Sequence, residues 1–179
     1  MGDSIPRRAG ERALERGIPD LKLTASIAWW GVGGLTWSGL RRSVESQVLL
    51  CCPPKIIALN LGGNDITRAP CTAITNKISK EIRYLRAAFP LATIIWIDII
   101  DRINWRTNQF SRTVINAKRK RLNRHGRSWV KSTGPSDVLS IDIDASTPGF
   151  YLADGVHLSE VGLEFYLDAL KDVLNKHIK

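Results

Sequence analysis

The chain has 179 residues, 44% of them hydrophobic, enough to bury one sizeable core without disulfides or metals. Cys51 and Cys52 are adjacent, Cys71 stands apart and there is no CxxC spacing, which argues against a disulfide framework and a cysteine zinc site. The formal charge of +9 is local: between Asp101 and Asp137 stand ten Lys or Arg residues and no acid.

The N-terminal Met-Gly-Asp-Ser-Ile-Pro-Arg-Arg has no apolar stretch behind it, and Pro6 stands where a myristoylation signal needs Ser or Thr. Apolar runs such as Ile94 to Ile100 are too short to span a bilayer and contain Asp98. The expectation is an intracellular protein, cytoplasmic or nuclear, with no signal peptide and no membrane span. No linker or repeat divides it, so residues 1–179 read as a single domain.

The elements follow in order. A helix is predicted from about Pro6 to Arg16, with Pro6 tolerated in its first turn. Leu21 to Trp30 has extended character, and Gly31, Gly33 and Gly34 end it. A helix over Ser38 to Leu50 takes Ser38 as its cap and stops before Pro53-Pro54. Lys55 to Leu61 reads as a buried strand entering Gly62-Gly63-Asn64-Asp65. Ile74, Ile78, Ile82 and Leu85 mark one apolar face of a helix over Ala73 to Ala88. Thr93 to Ile99 is an apolar strand, and an irregular stretch from Asp101 to Phe110 leads into a basic helix over Ser111 to Lys131. Val138 to Ile143 is a short strand. A last helix begins near Ser159 and carries Phe165, Leu167, Leu170 and Leu174. This alternation predicts a three-layer α/β/α sandwich on a mostly parallel sheet, with functional loops at the carboxyl ends of the strands.

Four segments carry the chemistry: Gly2-Asp3-Ser4, Gly33-Gly34-Leu35-Thr36, Gly62-Gly63-Asn64-Asp65 and Asp154-Gly155-Val156-His157-Leu158. In order and spacing they resemble the four sequence blocks of the SGNH, or GDSL-like, hydrolase superfamily, across nearly the whole chain. Gly2-Asp3-Ser4-Ile5 followed by Arg7-Arg8-Ala9, and Trp29-Trp30-Gly31 before Gly33-Gly34, are similar to SGNH domains of animal genomes, some of them encoded by mobile elements.

The resemblance implies a flavodoxin-like fold and a serine esterase acting on carboxylic or acetyl esters, with no metal and no organic cofactor. Ser4 is the implied nucleophile, and the same triad can serve a transferase with an alcohol acceptor. A serine hydroxyl needs a neighbouring base, here His157, and the base needs an acid that holds its tautomer, here Asp154 three residues away. Donors to the oxyanion are expected from the backbone N–H of Ser4, that of Gly34 (Gly33 being its rival) and the side-chain amide of Asn64. Asp65 is expected to cap or brace its loop rather than react. Trp29, Trp30 and Trp37 flank the glycine loop, either as core or as a pocket wall. His125 and His177 lack an acid placed like Asp154 and read as structural. The Cys51–Cys52 pair, at a helix end with no His nearby, is set aside as a nucleophile.

Two features stand outside this pattern. In SGNH proteins the Gly-Asp-Ser block ends an apolar first strand in mid-sheet; here Met1 directly precedes Gly2, so that strand is expected to be missing and Ser4 to be loosely held. The basic helix, through Arg112, Lys118, Arg119, Lys120, Arg121, Arg124 and Arg127, reads as a solvated face with Ile115 and Leu122 turned inward. Contact with nucleic acid or another polyanion, or attraction of an anionic substrate, stays open, and makes a non-catalytic interaction module the rival to the esterase.

Overall fold

The computed structural model describes residues 1–47 and 52–178. In chain order the elements are α1 (Ser4–Glu15), α2 (Trp37–Gln47), β1 (Ile56–Leu59), α3 (Cys71–Ala88), β2 (Thr93–Ile97), α4 (Arg112–Thr133), β3 (Ser136–Leu139) and α5 (Glu160–Asn175). The strands form a parallel sheet in the order β1-β2-β3, with Ala58, Ile95 and Asp137 in register. Residues on β2 alternate between two cores. Ile94 and Trp96 join the buried side chains of α2, α3 and α4, whereas Ile95 and Ile97 join those of α1 and α5. Helices therefore cover both faces, as the alternation of elements predicts.

Local chemistry explains most boundaries. α1 starts earlier than expected because Asp3 Oδ1 accepts the Ile5 N–H at 3.1 Å and caps the helix. The α3 face of Ile74, Ile78, Ile82 and Leu85 is buried as its spacing requires. Ser111 caps α4, and Ile115 and Leu122 turn inward. Gly126 lets α4 lie close to the sheet, since a Cβ there would fall 2.4 Å from the Trp96 ring. That ring stacks on Trp37 at 5.8 Å.

Three expectations are corrected. Residues 21–30 form no strand, because Leu21 and Lys22 adopt left-handed φ values of 53° and 58° that break the extended run. α2 is capped not by Ser38 but from a distance, by the Asp65 carboxylate accepting the Trp37 N–H; the end of the expected helix, residues 48–50, lies outside the described residues. The strand expected from Val138 to Ile143 is Ser136–Leu139.

The middle of the sheet is held by very little chain. Gly2 forms parallel bridges with Gly31 on one side and Asn60 on the other. Gly2 N donates to Trp30 O at 3.0 Å and Val32 N to Gly2 O at 2.9 Å, while Asn60 N donates to Met1 O at 3.1 Å and Asp3 N to Asn60 O at 3.3 Å. Residues 1–3 stand in the slot of the expected first strand, and their bonds on both sides anchor the turn into Ser4 rather than leaving it loose. Only glycine fits at position 2, because a Cβ would come within 2.0 Å of Asn60 O.

The basic helix is less solvated than its composition suggests. Arg127 pairs with Asp98 and Arg112 with Asp101 at 3.4 Å, Arg119 Nη1 donates to Ile99 O at 3.0 Å, and Lys118 Nζ donates to the carbonyls of Ile66 and Ala69. These four cations of the expected polyanion face are thus tied to the loops after β1 and β2. Lys120, Arg121 and Arg124 stay exposed. No helix among the described residues is long and apolar enough to cross a membrane.

Candidate active site

Ser4 is the first residue of α1, directly behind the anchored slot, and is 9% exposed. The loops after β1 and β2 and the segment before α5 bring Asn64, Arg102 and the Asp154–His157 pair to the same region. Burial pushes the Asp3 carboxyl up, and the nearby Arg102, the Ile5 N–H and, least, His157 offset only part of that.

Asp154 and His157 are built as a unit. Asp154 Oδ2 lies 2.6 Å from His157 Nδ1, and Oδ1 accepts the backbone N–H groups of Val156 at 2.9 Å and His157 at 3.0 Å. Gly155, at φ 64°, supplies the left-handed turn that lets the carboxylate face its own downstream amides. Arg106 Nη2 adds a contact to Oδ2 at 3.3 Å. The backbone amide of His157 first, and then that of Val156 and the imidazole, hold the Asp154 carboxyl well below the usual carboxylate range. In the neutral imidazole, an Nδ1 that donates to Asp154 leaves the lone pair on Nε2.

Asn64 Nδ2 donates to Leu35 O at 3.0 Å and, more weakly, to Asp3 Oδ2 at 3.4 Å. The first bond sets Asn64 against the loop of Gly34, which at φ 76° needs glycine's conformational freedom and has open space at its Cβ position. The Asp65 carboxylate caps α2 through the Trp37 N–H at 3.3 Å, and burial pushes its carboxyl up to about 6. Among the described residues no hydrogen bond joins Ser4 Oγ to His157, and no group of three or more His, Cys, Asp or Glu side chains is placed to hold a metal ion.

Sequence reasoning missed three side chains. Asp3 passed as part of the Gly-Asp-Ser block, yet it caps α1 and accepts from Asn64, linking the two segments. Arg102 and Arg106 counted only as charge, although Arg102 is 8% exposed and 3.6 Å from Asp3, and Arg106 touches Asp154. The adjacency of Asp3 to Ser4 was a usable signal; the arginines carried none beyond position.

The remaining candidates lie elsewhere. Trp37 is core, and Trp29 packs over Gly10 with its indole N–H donating to Pro19 O at 2.8 Å. His177 does have an acid, Asp137 Oδ2 at 2.9 Å, a correction that sequence spacing could not supply because the two are 40 residues apart. Cys52 and Cys71 are free thiols, and Cys51 lies outside the described residues.

No protein-family model matches the sequence, and a search of curated proteins finds no match. Solved structures do match. A GDSL-like lipase from Bacteroides thetaiotaomicron aligns with a TM-score of 0.72 at 19% identity, covering 98% of this chain and 86% of that one. The lipase/acylhydrolase from Enterococcus faecalis gives 0.71 at 19% identity over 99% and 94%. This is the SGNH hydrolase fold. A carbohydrate esterase family 3 protein from Talaromyces cellulolyticus shares it at 0.68 and 19% identity, over 99% and 95%.

Proposed function

We propose that the chain is a serine ester hydrolase acting on carboxylic or acetyl esters, with Ser4 as nucleophile, His157 as general base and acid, and Asp154 as the group that orients His157. The observation that carries this reading is the 2.6 Å contact between Asp154 and His157 Nδ1, which leaves Nε2 as the proton acceptor. Ser4 Oγ attacks the acyl carbonyl and passes its proton to Nε2. The imidazolium then protonates the departing alkoxide, and water, deprotonated in turn by Nε2, releases the acyl group from Ser4.

Negative charge developing on the carbonyl oxygen is met by the N–H groups of Ser4 and Gly34 and by the Asn64 amide. Asn64 would release its 3.4 Å contact with Asp3 to do so, keeping the shorter bond to Leu35 that aims it. The solved neighbours described as lipase, acylhydrolase and esterase support this reaction class. The test is labelling with a fluorophosphonate together with hydrolysis of p-nitrophenyl acetate. Both are expected of the wild-type chain and absent from Ser4→Ala; labelling that persists in Ser4→Ala ends the reading.

A further inference from the structure

We propose that this site selects esters bearing a second, negatively charged oxygen group, a carboxylate or phosphate, and that Arg102 binds that group; the proposal rests on the esterase reading of Ser4 and His157. Arg102 follows β2 and folds back under the nucleophile region. Its Nη2 stands where a Cβ on Gly63 would be 2.5 Å away, one residue from Asn64, and 3.6 Å from Asp3 Oδ2, one residue from Ser4. Gly63 thus leaves room for a guanidinium between the nucleophile and an oxyanion donor.

That guanidinium is oddly provided for. Its side chain is only 10% exposed, and its carbon lies 5.2 Å from the Trp105 ring centroid. A guanidinium carries five N–H donors, and among the described residues none of them makes a hydrogen bond. Asp3 is its ion-pair partner, at 3.6 Å, and the acids around it also serve other donors. Asp3 accepts from Ile5 N and Asn64, and Asp154 accepts from His157, Val156 and Arg106. Tyr151, the other acidic group whose charge bears on it, donates its hydroxyl to Asp101 O.

The Arg102 nitrogens keep some contact with solvent and their ion pair with Asp3 is long, at 3.6 Å, so donors remain open to a substrate, and an oxyanion is the partner that a planar fork fits best. Arg106, 63% exposed and 3.3 Å from the Asp154 oxygen that also faces His157, adds a second positive charge from the same loop. A neutral acetyl ester uses none of this. An ester with an anionic arm does.

The rival assignment makes Arg102 a brace for Asp3, and so for Ser4 and Asn64; it predicts equal harm to every substrate. The experiment compares kcat/KM for mono-4-nitrophenyl succinate, for the 4-nitrophenyl ester of 3-phosphonopropionic acid and for the methyl-capped neutral succinate. The wild-type chain is expected to prefer a charged ester by about tenfold or more, and whichever charged arm is favoured assigns carboxylate or phosphate. Arg102→Gln should erase that preference mainly through KM, and Arg102→Lys should keep part of it. No preference in the wild-type chain overturns the proposal without needing any variant to fold; equal loss on charged and neutral esters overturns it in favour of the brace. If fluorophosphonate labelling shows that the esterase reading itself fails, calorimetry of succinate and of phosphonopropionate binding to Ser4→Ala still decides. Binding abolished by adding Arg102→Gln supports the anion site, and no binding sinks it.

Discussion

Between α3 and α4, Ser79 Oγ lies 2.9 Å from His125 Nε2; at the strand ends, Ser4 has no such bond to His157. By proximity alone the first pair looks the more reactive. Its wiring says otherwise. Ser79 Oγ donates to Thr75 O at 3.0 Å, so Nε2 of His125 must donate to the serine and cannot deprotonate it. Burial, partly offset by the Thr75 carbonyl, lowers the pKa of a ring that stacks on Trp129 at 5.9 Å and has no carboxylate behind it. His157 has the reverse arrangement, with its Nδ1 proton held by Asp154 and its other nitrogen free. A serine–histidine contact therefore says less about reactivity than the partner on the far side of the ring.

The comparison breaks most sharply at the serines. Ser4→Ala is expected to lower esterase activity by at least about 10⁴-fold, while Ser79→Ala leaves fluorophosphonate labelling intact. Labelling that follows Ser79 instead reverses the two roles. The acids sharpen it next. Asp154→Asn should cost about 10³- to 10⁴-fold in kcat by releasing the tautomer, measured on p-nitrophenyl acetate. Asp137→Asn, which breaks the other Asp–His contact, at 2.9 Å to His177, should leave kcat unchanged.

A third contrast is thermodynamic. Asp65, 4% exposed, has its carboxyl raised by burial from 3.8 to about 6, so the folded state holds this proton more tightly than the unfolded chain. Its stabilising share is complete below about pH 4 and is lost as pH rises through 6, a change of about 3 kcal/mol at most. Asp65→Asn keeps an acceptor for the Trp37 N–H and should abolish that loss, so the variant should gain on the wild-type chain by this amount between pH 4 and pH 7, measured by denaturation at both; a constant difference refutes it. The smallest effect is Ser79→Ala itself, about 1 kcal/mol of stability for its bonds to Thr75 and His125, read from a denaturant midpoint.

Legibility in the sequence followed locality. The 3.6-residue spacing of Ile74, Ile78, Ile82 and Leu85 announced a helix because one helix buries one face, and the Asp154–His157 contact closes within three residues of chain. The extended run at residues 21–30 misled because its apolar content reports burial, whereas the left-handed turn at Leu21 and Lys22 is set by what packs around it. α2 was given Ser38 as its cap because a cap was sought nearby, but Asp65 reaches it from 28 residues away. The basic helix misled for the same reason: composition counts charges, and only packing assigns their partners.

By itself, the order of residues determined the alternation of elements, the two-faced α/β layering and the four short segments that hold the proposed catalytic groups, since each depends on periodicity or on neighbours a few positions apart. Tertiary structure alone decided that residues 1–3 are bonded on both sides, that Asp3 joins Ser4 to Asn64, and that Arg102 lies buried beside them. These depend on segments tens of residues apart meeting where water is scarce, and there a charge takes its meaning from what it faces.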